Sequence, residues 1–190
     1  MIYLCLSLLL TFSYKLVEVA IRTTPCRRGG KYTVLFWALI IVTITPLFNN
    51  NYTFKMPVVY GNAIPLFVML IIINVIAARF SGYNPIGKYN IINFAITFPV
   101  IEEIIFRGLI LPITESFIVP SKIMDVLYMP ITIPVIITAG LFAICHLQYY
   151  KLSAESIRFM IFAFLGGIFV GSHDSDDKIY IVFAYITYYI

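Results

Sequence analysis

The chain has 190 residues, 61% of them apolar and 12% charged, with a mean hydropathy of +0.95. Soluble domains run at about 45–50% apolar and about 25% charged, so this composition excludes an ordinary cytosolic enzyme, a disordered regulator and a nucleic-acid binder. Thirteen Lys and Arg against nine Asp and Glu leave +4, a surplus too small and too scattered for a surface that tracks phosphates. What remains is a protein dissolved in lipid: one membrane domain over residues 1–190, of the all-α class, a polytopic bundle of transmembrane helices.

Apolar runs long enough to cross about 30 Å of hydrocarbon are six in number, with a shorter seventh. The first covers residues 2–21 and is interrupted by Lys15 and Glu18. It has no basic leader and no small-residue cleavage site, so a retained helix is expected rather than a signal peptide. The second, 33–48, closes at Pro46 and the Asn49-Asn50-Asn51 cluster, and the third runs 58–78. The fourth, 91–119, carries charges inside it. The fifth is 131–147 and the sixth 157–171. Between the sixth and seventh lies Ser172-His173-Asp174-Ser175-Asp176-Asp177-Lys178, which reads as a solvated loop. The seventh, Ile179 to Ile190, reaches roughly 18 Å at about 1.5 Å per residue. That is too short to cross, and the expectation is a truncated version of a longer protein.

Loop charge orients the bundle. The odd-numbered loops hold Arg22, Arg27, Arg28, Lys31, Arg79, Lys88, Lys151 and Arg158, whereas the even ones hold Lys55, Lys122 and Lys178. By the positive-inside rule the odd loops face the cytoplasm. Tyr149-Tyr150 and Tyr188-Tyr189 suit an interfacial aromatic belt. Cys5, Cys26 and Cys145 show neither a disulfide framework nor a CxxC knuckle, so reduced, buried thiols are expected.

The informative residues are charges that lipid ought to exclude, since an ionisable group at mid-membrane costs about 2.5 kcal/mol or more. The fourth run reads Phe98-Pro99-Val100-Ile101-Glu102-Glu103-Ile104-Ile105-Phe106-Arg107-Gly108. Glu103 and Arg107 are i,i+4 on a helix and can pair. Glu102 lies about 100° round, with Phe106 as its own i+4 neighbour. One carboxylate is neutralised locally and the other is left over. A carboxylate without a countercharge in low dielectric is a natural proton acceptor near neutrality. A packing role for the Glu103–Arg107 pair explains two of these charges but not the third. The fifth run ends Phe142-Ala143-Ile144-Cys145-His146, an aromatic one turn before a histidine. Alone, such a histidine is more often a helix-packing hydrogen bonder. Beside a surplus glutamate on the preceding helix, it can polarise a water or coordinate a metal.

Glu102-Glu103-x-x-x-Arg107 followed by Phe142-x-x-x-His146 resembles the first two motifs of the CPBP intramembrane proteases. These include the CAAX prenyl endopeptidases and the bacterial Abi, or bacteriocin-processing and self-immunity, proteins. The match covers residues 90–171, within a motif-bearing core at about 90–190, and includes Gly166-Gly167 and Gly171 as small residues for close helix approach. The resemblance implies an integral protein of a bacterial plasma membrane that cleaves a peptide or a lipidated protein tail beside membrane lipid. It implies that Glu102 activates the hydrolytic water and that Glu103 with Arg107 holds the electrostatics. His146 then binds the water or stabilises the oxyanion. Family members are described as metalloproteases and as metal-free glutamate proteases. Zinc is the metal the first description calls for, with Glu102 and His146 as candidate ligands and His173 as a weaker one.

The family's third motif, HxxxN or HxxxD on a later helix, is matched as a string by His173 to Asp177, but inside the polar segment. An incomplete or inactive member acting in bacteriocin immunity or partner binding is therefore the alternative. A proton-coupled transporter is a weaker one, since no paired interrupted half-helices are visible.

Overall fold

The computed structural model describes residues 2–23, 30–48, 86–126, 129–149 and 151–177. The runs expected at 58–78 and 179–190, together with Cys26, Arg27, Arg28 and Arg79, lie outside the described residues. Within them the protein is mostly helical, as the composition requires.

The first run forms two helices, α1 (Ile2–Thr11) and α2 (Ser13–Thr23), meeting at 66°. The single straight helix expected there is corrected. In α2, Glu18 draws Lys15 to 2.7 Å and Arg22 to 2.6 Å, so the charges that interrupt the run neutralise one another on one face. The second run is α3 (Thr33–Ile44), extended by 3-10 turns at each end and apolar over Gly30–Phe48, long enough to cross a membrane. Leu35, Phe36, Leu39 and Val42 are exposed along it, as on a lipid-facing flank, whereas Trp37 and Ile41 are buried.

The fourth run is one continuous helix, α4, over 88–117, whose hydrogen bonding changes register twice. Lys88–Ile92, Phe98–Glu103 and Leu111–Phe117 are α-helical; Asn93–Thr97 and Ile104–Ile110 are π-helical. Each π segment ends two positions before a proline, Pro99 or Pro112. A proline inside a helix cannot donate to the carbonyl four residues back, and its ring clashes with it. Widening the preceding turn to the i→i+5 register relieves both problems without breaking the helix. The regular helix expected for the charged motif is thereby corrected. α4 is the centre of the bundle: Ile101, Ile105, Phe106, Leu109, Ile110 and Ile113 are all buried, in one core with Leu10, Trp37, Ile41 and Phe142.

A small antiparallel hairpin, β1 (Lys122–Val126) and β2 (Met129–Thr132), precedes the fifth run and was not expected from the hydropathy. Thr132 then caps α5 (Ile133–Cys145) by accepting from the Val135 N–H, and a 3-10 turn, His146–Gln148, closes it. The last described helix, α6, is Ala154–Asp177, and Ala154–Ser172 is its membrane-length part. The segment read as a solvated loop from Ser172 is therefore helical through Asp177, and His173 lies on α6. α5 and α6 pack closely because α6 presents glycines. A Cβ on Gly167 would meet the Ala139 Cβ at 3.1 Å, and one on Gly171 would meet Val135 at 3.2 Å.

Cys145 is free and buried, as expected; Cys5 is free but exposed on the outer flank of α1, against expectation. An apolar flank turned to lipid needs no burial in protein, so exposure of a small thiol there costs little.

Candidate active site

The four charged or titratable motif residues are all withdrawn from the surface. Glu102 and Glu103 are 3% exposed, and Arg107 and His146 4%. α4 contributes the first three and the end of α5 the fourth.

The i,i+4 pair forms as its spacing predicts, with Arg107 Nε 3.6 Å from Glu103 Oε2. It is a charge contact rather than a hydrogen bond, and among the described residues the three guanidinium nitrogens have no hydrogen-bond partner. The π register from Ile104 onward accounts for this by widening the turn that separates the two side chains. The guanidinium instead lies over the Phe142 ring, 4.9 Å from its centroid, a cation–π contact that strengthens away from water. Phe142 is the aromatic of the second motif, so the two motifs touch through Arg107 and Phe142. Phe106 packs edge-on against the same ring.

Glu102 points elsewhere. Together with His146 it lines a cavity of about 390 Å³ bounded by α2, α3, α4, α6 and the turn after α5. The two adjacent glutamates thus divide, one to the ion pair and one to the cavity. Tyr149 joins the cavity pair: its hydroxyl donates to Glu102 Oε1 at 3.5 Å, and its ring lies 6.4 Å from the imidazole. Tyr149 was read from sequence as part of an aromatic belt, and that is corrected. Its signal was its position three residues after His146, which places it on the same side of a helical turn.

His146 is held by two constraints. Its Nδ1 lies 2.9 Å from the Phe142 carbonyl oxygen. A carbonyl can only accept, so Nδ1 carries the proton and donates. In the neutral ring Nε2 then keeps its lone pair. The ring is also wedged between Phe142 and Phe159, with centroids 5.2 and 5.0 Å away. The arrangement therefore offers a carboxylate and an imidazole acceptor at one cavity, which suits holding the two O–H groups of a water.

For zinc, Glu102 with His146 supplies two of the three protein ligands that a catalytic site takes, and the side chain of His173, the third candidate, lies outside the described residues.

Tyr14, Asn93, Gln148 and Phe159 also line the cavity, and sequence reading singled out none of them. Asn93 is buried and accepts from the Thr97 hydroxyl at 3.1 Å, inside the first π segment. Tyr14 packs against Trp37, Phe98 and Tyr149.

Residues 84–173 match the family model described as Rce1-like, type II CAAX prenyl endopeptidase. That span begins just ahead of α4 and ends on α6, so it holds both motifs and part of the cavity wall, while α2 and α3, which complete the wall, lie outside it. No curated protein and no solved structure is similar enough to the chain to count as a match.

Proposed function

We propose, from the match of residues 84–173 to the Rce1-like, type II CAAX prenyl endopeptidase family model, that this membrane protein hydrolyses a peptide bond in a peptide or lipidated protein tail. Glu102 and His146 are the groups that handle the water. The single observation that carries the reading is that these two buried side chains line one cavity, while Glu103 is engaged by Arg107.

In this mechanism one O–H of a water is held by the Glu102 carboxylate and the other by His146 Nε2. Glu102 takes a proton as the water oxygen attacks the scissile carbonyl carbon. The tetrahedral adduct then collapses, the C–N bond breaks, and the proton on Glu102 passes to the departing amine. With Nδ1 bound to the Phe142 carbonyl, neutral His146 serves as an acceptor toward water. It donates to the oxyanion only after it has itself taken up a proton. Tyr149 steadies the carboxylate through Oε1. Glu103 and Arg107 do not reach the water; they brace α4 and hold Phe142 in place.

The odd-numbered loops face the cytoplasm in this reading, supported by the charge bias of the sequence. No step is routed through a metal; Glu102 and His146 are the residues that would hold one.

The test uses detergent-purified or liposome-reconstituted protein and a quenched-fluorescence peptide bearing a farnesylated C-terminal tail. Glu102→Ala should lower kcat by about 10²–10⁴-fold, the range of a general base, with the fold retained. Equal cleavage by both proteins would remove Glu102 from the hydrolytic role, and no cleavage by either would leave partner binding or immunity as the use of the scaffold.

A further inference from the structure

The bend in the first helix has neither proline nor glycine to cause it. The Thr11 hydroxyl donates to the Ser7 carbonyl at 2.7 Å, a back-bond of the kind that often bends helices, and it leaves the backbone groups at the break to find partners elsewhere. Kinks above about 20° arise almost always at proline, at Gly/Ser pairs, at π-bulges, or where a side chain or water enters the backbone ladder. Residues 2–23 contain no proline and no glycine, and α1 and α2 are both α-helical. In an unbroken helix the Lys15 N–H would donate to the Thr11 carbonyl. Here the Lys15 N–H donates to Gln148 Oε1 at 2.9 Å, and Gln148 Nε2 donates to the Thr11 carbonyl at 2.7 Å. One side-chain amide from the turn after α5 therefore occupies the place of one backbone hydrogen bond and satisfies both of that bond's groups. Within a membrane such groups have no water to turn to, so the opening is tolerated only with a partner of this kind.

Gln148 is the last residue of the turn that begins with His146, and its Nε2 also donates to the Cys145 carbonyl at 3.1 Å. The bent helix is thus tied to the histidine-bearing turn itself. Directly after the bend come Ser13, which accepts from the Trp37 indole N–H at 2.9 Å, and Tyr14, whose ring rests on Tyr149 and Phe98. Tyr14 and His146 both line the cavity, and the amide is a polar link between the elements that carry them.

We propose that Gln148 is a positioning residue: its amide, seated between Thr11 and Lys15, holds the first helix bent against the His146 turn and fixes the width of the cavity. The catalytic consequence rests on the protease reading above, but the bend itself does not.

The test is a distance measurement on the full chain. Spin labels at Ile2→Cys and Thr23→Cys, with the native cysteines replaced, would lie about 31 Å apart along a straight helix at about 1.5 Å per residue. A bend of 66° brings them about 5 Å closer by the same geometry. Gln148→Met keeps the bulk and loses all three hydrogen bonds of the amide, the two to the first helix among them, and it should move the distance toward the straight value or broaden it. Gln148→Asn is too short to reach both backbone groups and should open the bend in part; it serves if the Met variant does not fold. A distance unchanged from wild type in a folded Gln148 variant overturns the proposal. On the farnesylated peptide, the folded fraction of either variant should lose at least tenfold in kcat with KM changed less than threefold. A variant that opens the bend yet keeps wild-type kcat overturns the positioning role. If the wild-type protein cleaves nothing, the protease reading fails, while the distances still judge the bend.

Discussion

α4 and the α1–α2 pair are both irregular helices beside the same cavity, and their irregularities have opposite origins. α4 changes register at Asn93–Thr97 and at Ile104–Ile110 because Pro99 and Pro112 follow in its own chain. The α1–α2 pair bends at Phe12 because Gln148, more than a hundred residues away, enters its backbone ladder. The first distortion belongs to the helix wherever it sits. The second exists only once α5 has docked. A protein can therefore build a site from one element that arrives already shaped and another that is shaped by assembly.

The largest expected effect tests how far α4 depends on its ion pair. Arg107→Ala leaves Glu103 buried without its countercharge and should destabilise the protein by about 3–5 kcal/mol, read from thermal unfolding in detergent. A loss below about 1 kcal/mol would mean that solvent or another group already compensates Glu103.

Next in size, Pro112→Ala should sharpen the contrast between the two helices. Restoring the N–H lets Ile104–Ile110 return to the α register, with a stability gain of up to about 3 kcal/mol, the ordinary proline penalty in a helix interior. Isotope-edited infrared spectroscopy of the Gly108 carbonyl, four residues back, would report the new hydrogen bond. An unmoved band with no gain in stability would place the cause of the π register outside the prolines.

The smallest effect concerns the packing that presents His146. Gly167→Ala would set a Cβ 3.1 Å from that of Ala139 and 3.2 Å from its Cα. Overpacking of this kind costs about 1–3 kcal/mol, the lower end being expected for a single methyl. A neutral result in the same unfolding assay would show that α5 and α6 can separate freely.

Much of the site was legible because charges in lipid are conspicuous. Glu102, Glu103, Arg107 and His146 stood out by residue type alone, and the i,i+4 spacing of Glu103 and Arg107 correctly paired them. That Glu103 rather than Glu102 would face Arg107 followed from the roughly 100° step between neighbours. Tyr149 and Gln148 escaped notice because tyrosine and glutamine near a helix end are ordinary at a membrane interface. Only contact with Glu102, or with a broken backbone hydrogen bond, distinguishes them. Helical character from Ser172 to Asp177 was missed for a similar reason: polarity argues for solvent, but a helix already under way can continue into solvent with its backbone bonds intact.

By itself the sequence determined that the chain lives in a membrane, that helices build it, and which charges stand out among its apolar residues. Those follow from transfer free energies and from the 3.6-residue repeat, both local properties of residue order. The tertiary structure decided which walls the cavity has and where the first helix bends. It also decided which imidazole nitrogen keeps its lone pair, through the Phe142 carbonyl. These depend on hydrogen bonds and ring contacts whose partners are chosen only when helices dock, and no pattern along the chain records that choice.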